Sequence, residues 1–360
     1  MKKQRWTRRE AITTGASAIA GVTLSGCGRK EAEVAAVADL RPKKGFIDVP
    51  PLPFTWDAIV SGDKGPGPRS RHCLAFDQRG RSCVLYAGVV WSKPATFKAD
   101  TWELRDGKWS QVATSDAPPP RHRGAMVYDS RQGSCVMFGG QGKRNEMYGD
   151  TWTYASRSWQ QWTKWLGDRP SPRCGHSMAF DEGAGVTVLF GGIDPRDRQL
   201  GDTWIFDGAR WESVGGAAPP ARRYAAFAYD EELEGCLLHG GSVDDRGRQG
   251  FGDCWLFRDR TWSRMPPGFT TDVRDDQGMA YHKSAKRLVM LEGVHAARAV
   301  LVRDAEGWKK RETIPLHPRL QCSPLVWDEA LDGLVMHGGE AGQGGRQFDT
   351  TWVLKRVEKG

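Results

Sequence analysis

The sequence predicts an all-β protein built from six copies of a four-stranded antiparallel sheet. The first observation is the segment 172–211, where short runs rich in aromatic and β-branched residues are separated by turns rich in Gly and Asp. The runs cover residues 177–180, 186–190, 203–206 and 210–214. Asp207-Gly208 suits a tight turn between the last two runs, because Gly readily adopts a positive φ. The segment is therefore predicted to form a four-stranded meander.

The second observation is that this unit recurs at a spacing of about fifty residues, which is typical of repeat architectures. Six residue pairs mark equivalent points of the copies: Ala87-Gly88, Gly139-Gly140, Gly191-Gly192, Gly240-Gly241, Glu292-Gly293 and Gly338-Gly339. A Trp in the third run marks five copies: Trp102, Trp152, Trp204, Trp255 and Trp352. A second Trp follows in most copies as Trp109, Trp159, Trp211, Trp262 and Trp308. Leu301 takes the place of the first Trp in the fifth copy, so the pattern indicates six repeats.

These features together resemble the kelch repeat, in which a PxRxxH segment is followed by Asp, a hydrophobic run into Gly-Gly, the tripeptide DTW and a further Trp. The resemblance covers about residues 53–357. It implies a six-bladed β-propeller, similar to the central domain of galactose oxidase, with one four-stranded sheet per blade around a central channel. Closure in a ring buries both faces of every sheet against a neighbour.

The sixth repeat lacks its fourth strand, because the position expected for its second Trp is Lys359 near the end of the sequence. Phe54-Thr55-Trp56 precedes the first repeat and carries a Trp that belongs to no repeat. We therefore expect the segment around Trp56 to complete the last blade and to join the two ends of the propeller.

Residues 1–26 are predicted to be a signal peptide, because basic residues precede a mildly apolar stretch. Thr7-Arg8-Arg9 resembles a twin-arginine export signal, although Ala11 departs from the bulky apolar residue usual there. Leu24-Ser25-Gly26-Cys27 resembles the lipobox of bacterial lipoproteins, which implies lipidation of Cys27. Residues 27–52 then form a flexible, lipid-anchored tether. The expected location is the cell envelope, with the outer membrane or cell surface preferred.

Seven further cysteines are an odd number without a CxxC pair, so the sequence does not imply a disulfide framework. Three of them, Cys83, Cys135 and Cys236, lie at the same repeat position, where buried small side chains are expected. The oxidation state of the seven stays open. The formal net charge of +8 is weak grounds for a polyanionic partner, because five basic residues lie within the first 26, and no nucleic acid is predicted.

An Arg precedes the first strand of every repeat: Arg69, Arg121, Arg173, Arg222, Arg274 and, displaced by one residue, Arg319. In the kelch family this position lies near the open end of the channel. The resemblance thus allows a ring of guanidiniums that binds an anionic ligand. The alternative is structural, with each Arg bonded to backbone carbonyls or to an Asp.

Three aromatic residues outside the repeat pattern are further ligand candidates: Trp91, Trp162 and Trp165. Exposed indoles stack on sugar rings or anchor protein partners, whereas the alternative is packing over a blade end. His72 and His176 occupy one repeat position, where the other copies have Gly124, Ala225, Gln277 and Ser323. Two His in six repeats do not make a metal ring, and no metal or cofactor is predicted.

Two functions remain open from the sequence. The first is a membrane-anchored, extracytoplasmic binding module, expected to be monomeric, that recognises a protein or polysaccharide of the cell envelope through its loop face. The second is a carbohydrate-active enzyme that uses the channel, since kelch-like propellers include a periplasmic sialic acid epimerase. Such chemistry needs an acid/base pair beside an Arg, and the available residues are Glu146, Glu292, Glu340 and His295. Nothing in their spacing selects them.

Overall fold

The computed structural model describes residues 54–59, 64–163, 167–244, 249–271, 276–291, 299–314, 321–341 and 345–357. These residues form six four-stranded antiparallel blades. The first strand of each blade contacts the first strands of both neighbouring blades, so the first strands form a closed ring around a central channel. The predicted six-bladed propeller is confirmed.

The chain first forms β1 (Phe54–Ile59). Blade one contains β2 (Cys73–Asp77), β3 (Ser82–Tyr86), β6 (Thr101–Arg105) and β7 (Lys108–Val112), with a two-stranded ribbon of β4 (Val89–Val90) and β5 (Thr96–Phe97) in its loop. Blade two contains β8 (Ala125–Asp129), β9 (Ser134–Phe138), β10 (Thr151–Ala155) and β11 (Ser158–Trp162). Blade three contains β12 (Ser177–Asp181), β13 (Val186–Ile193), β14 (Gln199–Phe206) and β15 (Trp211–Val214).

Blade four contains β16 (Ala226–Asp230), β17 (Gly235–His239), β18 (Cys254–Arg258) and β19 (Thr261–Arg264). Blade five contains β20 (Met279–His282), β21 (Arg287–Leu291), β22 (Ala299–Asp304) and β23 (Gly307–Ile314). Blade six contains β24 (Val326–Asp328), β25 (Gly333–His337) and β26 (Thr351–Arg356). A 3₁₀ turn lies at Pro267–Phe269, and no helix among the described residues is long and apolar enough to cross a membrane.

Strand β1 supplies the missing fourth strand of blade six, as the sequence predicted. It pairs antiparallel with β26, and Trp56 lies opposite Leu354. Trp109 lies opposite Leu104 at the equivalent point of blade one, so Trp56 occupies the place of the second Trp. Its side chain is 2% exposed. The parallel pairing of β1 with β23 also joins blades five and six into one eight-stranded sheet.

The second Trp of a blade fastens it to the preceding blade. The Trp109 indole Nε1 donates to Thr351 Oγ1 of blade six at 2.7 Å. Trp159 donates to Thr101, Trp211 to Thr151 and Trp262 to Thr203 in the same way, at distances of 2.9–3.0 Å. These threonines are the second residue of the DTW tripeptide or its counterpart, so the repeated motif encodes a buried hydrogen bond between blades as well as apolar packing.

The Gly-Gly pair forms another contact between blades. Both glycines have positive φ, for example 62° at Gly139 and 106° at Gly140. The Gly140 N–H donates to the carbonyl of Arg173 in the next blade at 2.9 Å. A Cβ atom on Gly139 would lie 2.7 Å from that carbonyl oxygen, which is too close. Only glycine combines this backbone conformation with such a close approach at no cost.

Candidate functional site

The structure places four of the six repeated arginines in blade interiors. Arg121 is 0% exposed; its Nη1 donates to Asp150 Oδ1 at 2.7 Å and to the Gly139 carbonyl at 2.9 Å, and its Nη2 donates to Asp150 Oδ2 at 2.8 Å. The same bidentate pair with the Asp of the DTW motif or its counterpart forms in three further blades: Arg69 with Asp100, Arg173 with Asp202, and Arg222 with Asp253. Arg274 and Arg319 lie outside the described residues.

This arrangement matches the structural alternative for the repeated Arg. Burial by itself raises the pKa of a carboxyl group, but the bidentate guanidinium outweighs burial and holds the pKa values of Asp100, Asp202 and Asp253 below their usual range. The Trp of the motif donates to the same carboxylate, as Trp152 does to Asp150 at 2.7 Å. Because the four guanidiniums are enclosed and already bonded, the candidate site is built from other residues.

A second set of residues, two positions further along the chain, forms the channel mouth. Each blade contributes one residue with a positive φ. The backbone N–H of this residue donates to the carbonyl of the equivalent residue in the preceding blade, at 2.8–3.1 Å. The six residues are Arg71, Arg123, Gly175, Tyr224, Asp276 and Cys322. Their hydrogen bonds close a complete circle, which we call the mouth ring. We call the end of the channel at this ring the loop face, and the opposite end the turn face.

Sequence reasoning missed the mouth ring, because its residue types differ from blade to blade. The only available signal was the spacing of a second Arg after the repeated one, in Arg69-Ser70-Arg71 and in Arg121-His122-Arg123. What repeats is the backbone conformation, which residue patterns report poorly when Arg, Tyr, Asp and Cys occupy the left-handed region.

Glu340 organises the rim beside the mouth ring. Its carboxylate is 0% exposed and accepts hydrogen bonds from Arg71 Nη2 at 3.1 Å, Ser70 Oγ at 3.1 Å and Trp91 Nε1 at 2.7 Å. The backbone N–H of Trp91 also donates to Gln347 Oε1 at 2.7 Å. Since Glu340 and Gln347 belong to blade six, these bonds fix the loop of blade one across the seam where the ring closes.

Trp91 therefore lies where its sequence position suggested, in an exposed loop on the loop face. Its side chain is 37% exposed, although its N–H is bonded. The Arg71 guanidinium carbon lies 5.7 Å from its ring centroid, and the His122 ring packs edge-on at 5.9 Å. The indole is thus fixed on two sides and open on the remaining surface. Such an aromatic side chain offers contact area at little entropic cost.

The other aromatic candidates differ. Trp162 ends β11, is partly buried and packs edge-on against Phe206 at 5.8 Å, so part of its surface serves the interface between blades two and three. This corresponds to the packing alternative. Trp165 lies outside the described residues.

Of the residues proposed for enzyme chemistry, the structure describes Glu146 and Glu340, and each is hydrogen-bonded to a different Arg. Glu340 is bonded to Arg71 as described, whereas Glu146 accepts a hydrogen bond from the backbone N–H of Arg144 within its own loop, at 2.6 Å. Glu292 and His295 lie outside the described residues. Within the described ranges no group of three or more His, Cys, Asp or Glu residues could hold a metal ion.

The channel below the mouth ring contains two adjoining cavities. The upper cavity, of about 130 Å³, lies against the mouth ring, and the lower one, of about 360 Å³, extends to the turn face. The layer that contains His72 and His176 borders the upper cavity, and His72 borders both. Burial lowers the pKa of both imidazoles, to about 3 for His176, so both are neutral at pH 7.

All seven cysteines of the described residues are buried and none is disulfide-bonded. Burial raises the pKa values of Cys83, Cys135 and Cys236, which removes the thiolate form that reacts or binds metal. They are packed in blade interiors, as their shared repeat position predicted.

Comparison with known proteins agrees with this architecture. The flagellar outer-arm dynein alpha chain of Chlamydomonas reinhardtii is 32% identical over 192 residues, 48% of this chain and 4% of that protein. The F-box/kelch-repeat protein At1g51550 of Arabidopsis thaliana is 32% identical over 253 residues, 62% of this chain and 50% of the relative. The chain thus covers half or less of the length of these two relatives. The solved structure of YjhT superimposes with a TM-score of 0.60 at 15% identity, covering 83% of this chain and 97% of that one, which supports the fold alone.

Residues 92–291 match the KLHDC2/KLHL20/DRC7 Kelch-repeats domain, a span that exceeds half of the sequence. The match includes the whole of blades two, three and four, which contain three of the four Arg–Asp pairs. The chain belongs to the kelch-repeat family.

Proposed function

We propose that this propeller is a protein-binding module of the cell envelope that uses the rim of its loop face, with Trp91 as the central contact. The observation that carries the proposal is that Trp91 is the most exposed large hydrophobic side chain among the described residues, yet it is held in place by hydrogen bonds to blade six. A side chain that is both exposed and fixed loses little conformational freedom on binding. Trp and Arg, here Trp91 beside Arg71, are the residue types enriched at energetic centres of interfaces.

Kelch-repeat relatives support a protein partner. One relative is an F-box/kelch-repeat protein and another is a dynein chain, and this chain aligns with only part of each. An envelope polysaccharide remains an outcome that the test below separates, since an exposed indole also stacks on sugars.

The experiment compares Trp91→Ala with Val357→Ala, because Val357 is equally exposed at 36% and belongs to no part of the rim. Full-length protein is cross-linked in its host, and the captured proteins and glycans are quantified. We expect Trp91→Ala to reduce capture of one or a few proteins by about 30-fold, which corresponds to a loss of about 2 kcal/mol at an interface centre. Val357→Ala should leave them unchanged.

Equal capture by the two variants would refute the role of Trp91. Loss of captured glycan in place of protein, abolished by glycosidase treatment, would replace the protein partner by a polysaccharide.

The envelope location is part of the proposal and rests on the Leu24–Cys27 tetrapeptide after an export segment. Replacing Cys27 by Ser removes the predicted lipidated side chain, so the protein should leave the membrane fraction. Retention of Cys27→Ser in membranes after a high-salt wash would show that lipidation at Cys27 does not anchor it.

A further inference from the structure

We propose that the central channel is a second binding site, which takes a small amphipathic carboxylic acid from the turn face, with its carboxylate at the mouth ring and its apolar part in the lower cavity. This site differs from the Trp91 rim, because it lies inside the ring of first strands and opens at the opposite end, although Arg71 borders both.

Two layers of residues in or next to the first strands line the lower cavity, mostly with small side chains. One layer contains Cys73, Ala125, Ser177, Ala226, Gly278 and Pro324, and the other contains Ala75, Val127, Ala179, Ala228, Ala280 and Val326. Between and below them, larger apolar residues such as Met126, Met178 and Met279 line the same space. A volume of about 360 Å³ falls at the lower end of the range for small-molecule sites, about 300–1,000 Å³. The wall thus suits a short aliphatic or aromatic body.

The upper end of the channel is polar and contains groups that lack partners. Arg71 is 7% exposed, and its Nε and Nη1 have no hydrogen-bond partner among the described residues. Tyr224 is 8% exposed, and its hydroxyl likewise has none within the described ranges. His72 is 2% exposed, and neither of its ring nitrogens has a hydrogen-bond partner in the described part of the chain. All three residues border the upper cavity.

Buried donors without acceptors destabilise the folded protein, so an acceptor that enters the cavity stabilises it. The Arg71 Nη2 already binds Glu340, whereas Nε and Nη1 have no acceptor among the described residues. Arg123 adds a second positive charge to the cavity wall, whereas Asp276 is the one carboxylate among the residues that border the upper cavity. A carboxylate accepts from guanidinium and phenol donors at once, so it suits the unpartnered groups of Arg71 and Tyr224.

We expect the ligand to enter from the turn face, because side chains cover the mouth ring at the other end. The Tyr224 ring lies across the blade-three position, where a Cβ on Gly175 would come within 2.6 Å of Tyr224 Cε1. The Arg123 guanidinium lies 5.3 Å from the centroid of the same ring. These side chains and the closed backbone circle obstruct the loop-face end, whereas the lower cavity reaches residues of the turn face such as Gln78 and Lys283.

Six aromatic residues, one from each blade, surround the turn-face entrance: Phe76, Tyr128, Phe180, Tyr229, Tyr281 and Trp327. They offer an apolar passage to the body of the ligand. Lys283 at the same end is paired with Glu329 at 3.2 Å, and Glu182 and Glu231 border the same space, so the entrance itself does not attract the acid by charge. The order of groups from entrance to ring, with aromatic collar, small apolar wall and polar end, matches an acid whose carboxylate lies at the ring and whose apolar part lies below it.

Decanoate is the probe for this site, and decanol is the control that has the same body without the charge. Binding to the full-length protein is measured by titration calorimetry. Tyr224→Phe removes only the unpartnered hydroxyl and should leave the fold unchanged. We expect it to weaken decanoate binding 10- to 100-fold, the effect of losing one hydrogen bond to a charged group. Tyr229→Phe, the same change in the collar, should weaken binding less than threefold.

A second variant, Ala228→Leu, fills the lower cavity and should abolish binding of both probes. The proposal is overturned if the dissociation constant of decanoate exceeds about 1 mM, which corresponds to a binding free energy of about 4 kcal/mol. It is also overturned if decanol binds as tightly as decanoate. Equal affinities of Tyr224→Phe and Tyr229→Phe would also overturn it, even if Ala228→Leu fails to fold.

Discussion

Changing Arg121 to Met tests whether the repeated Arg is part of the blade interior or an anion ligand. The substitution keeps the apolar stem and deletes the fork that binds Asp150 and the Gly139 carbonyl. In the structure this leaves a partly buried carboxylate and a buried carbonyl without their main donor. The loss of one member of a buried ion pair costs about 3–5 kcal/mol. At about 2–4 °C per kcal/mol, the thermal midpoint should fall by about 6–20 °C.

The matched control is Arg260→Met. Arg260 pairs with Glu212 at 2.6 Å, but both side chains are 50% exposed, so solvent screens the pair. Exposed pairs contribute about 0–1 kcal/mol, and the midpoint should change by no more than a few degrees. The contrast tests burial, because both variants remove the Arg of an Arg–carboxylate pair.

Differential scanning calorimetry of both variants, with and without sulfate, decides the question. If Arg121 served an anion site, its removal would be neutral or stabilising, and sulfate would stabilise the wild type but not the variant. A midpoint for Arg121→Met within about 3 °C of that for Arg260→Met, a difference of about 1 kcal/mol or less, would refute the structural role.

Two further predictions concern the closing strand and acid pH. Deleting residues 53–58 should lower the thermal midpoint clearly, because loss of the buried Trp56 alone costs about 3–5 kcal/mol, whereas deletion of residues 28–50 should not change it; similar midpoints for the two truncations would contradict closure by β1. Burial lowers the pKa of His122 and of His176 to about 3, so between that value and pH 6.5 the unfolded chain binds more protons than the folded one. Stability present above pH 6.5 is therefore lost on acidification, by up to about 1.4 kcal/mol per pH unit for each such His. Thermal midpoints at pH 7 and pH 5 should differ less in His176→Gln than in the wild type, and identical differences would show that His176 is not buried in neutral form.

The fold was predictable because its signals are local and repeated six times. The glycine pairs, the DTW tripeptides and the second Trp each report a contact that every blade must make, and even Leu301 lies opposite Met290 as Trp102 lies opposite Leu85. The closing strand could be found because Trp56 belongs to no repeat and the sixth repeat lacks its second Trp. Strand bounds were less accurate where β13 and β14 continue to Ile193 and from Gln199, beyond the glycine pair.

The candidate site was less predictable for the opposite reason. Arg121 and its equivalents were considered as ligand-binding residues because they repeat. A residue that makes the same structural bond in every blade also repeats, so repetition alone does not indicate a ligand site. Arg71 and Tyr224 attract no attention in the sequence, because their side chains are not repeated and their placement depends on a backbone conformation shared across blades. Trp91 could be identified as an exception to the pattern, but its bonds to Glu340 and Gln347 join residues about 250 positions apart.

In the mouth ring, backbone groups hold the scaffold together, whereas the side chains determine the chemistry of the channel end. Its six hydrogen bonds use only backbone N–H and carbonyl groups, so they make no demand on side-chain chemistry beyond tolerance of a positive φ. Two Arg, a Gly, a Tyr, an Asp and a Cys already occupy equivalent places in the same circle. A change of residue there can alter the charge and shape of the channel end while the scaffold stays intact, provided that the new side chain is not β-branched. The ring is therefore a place where new ligand specificity can arise by single substitutions without loss of the fold.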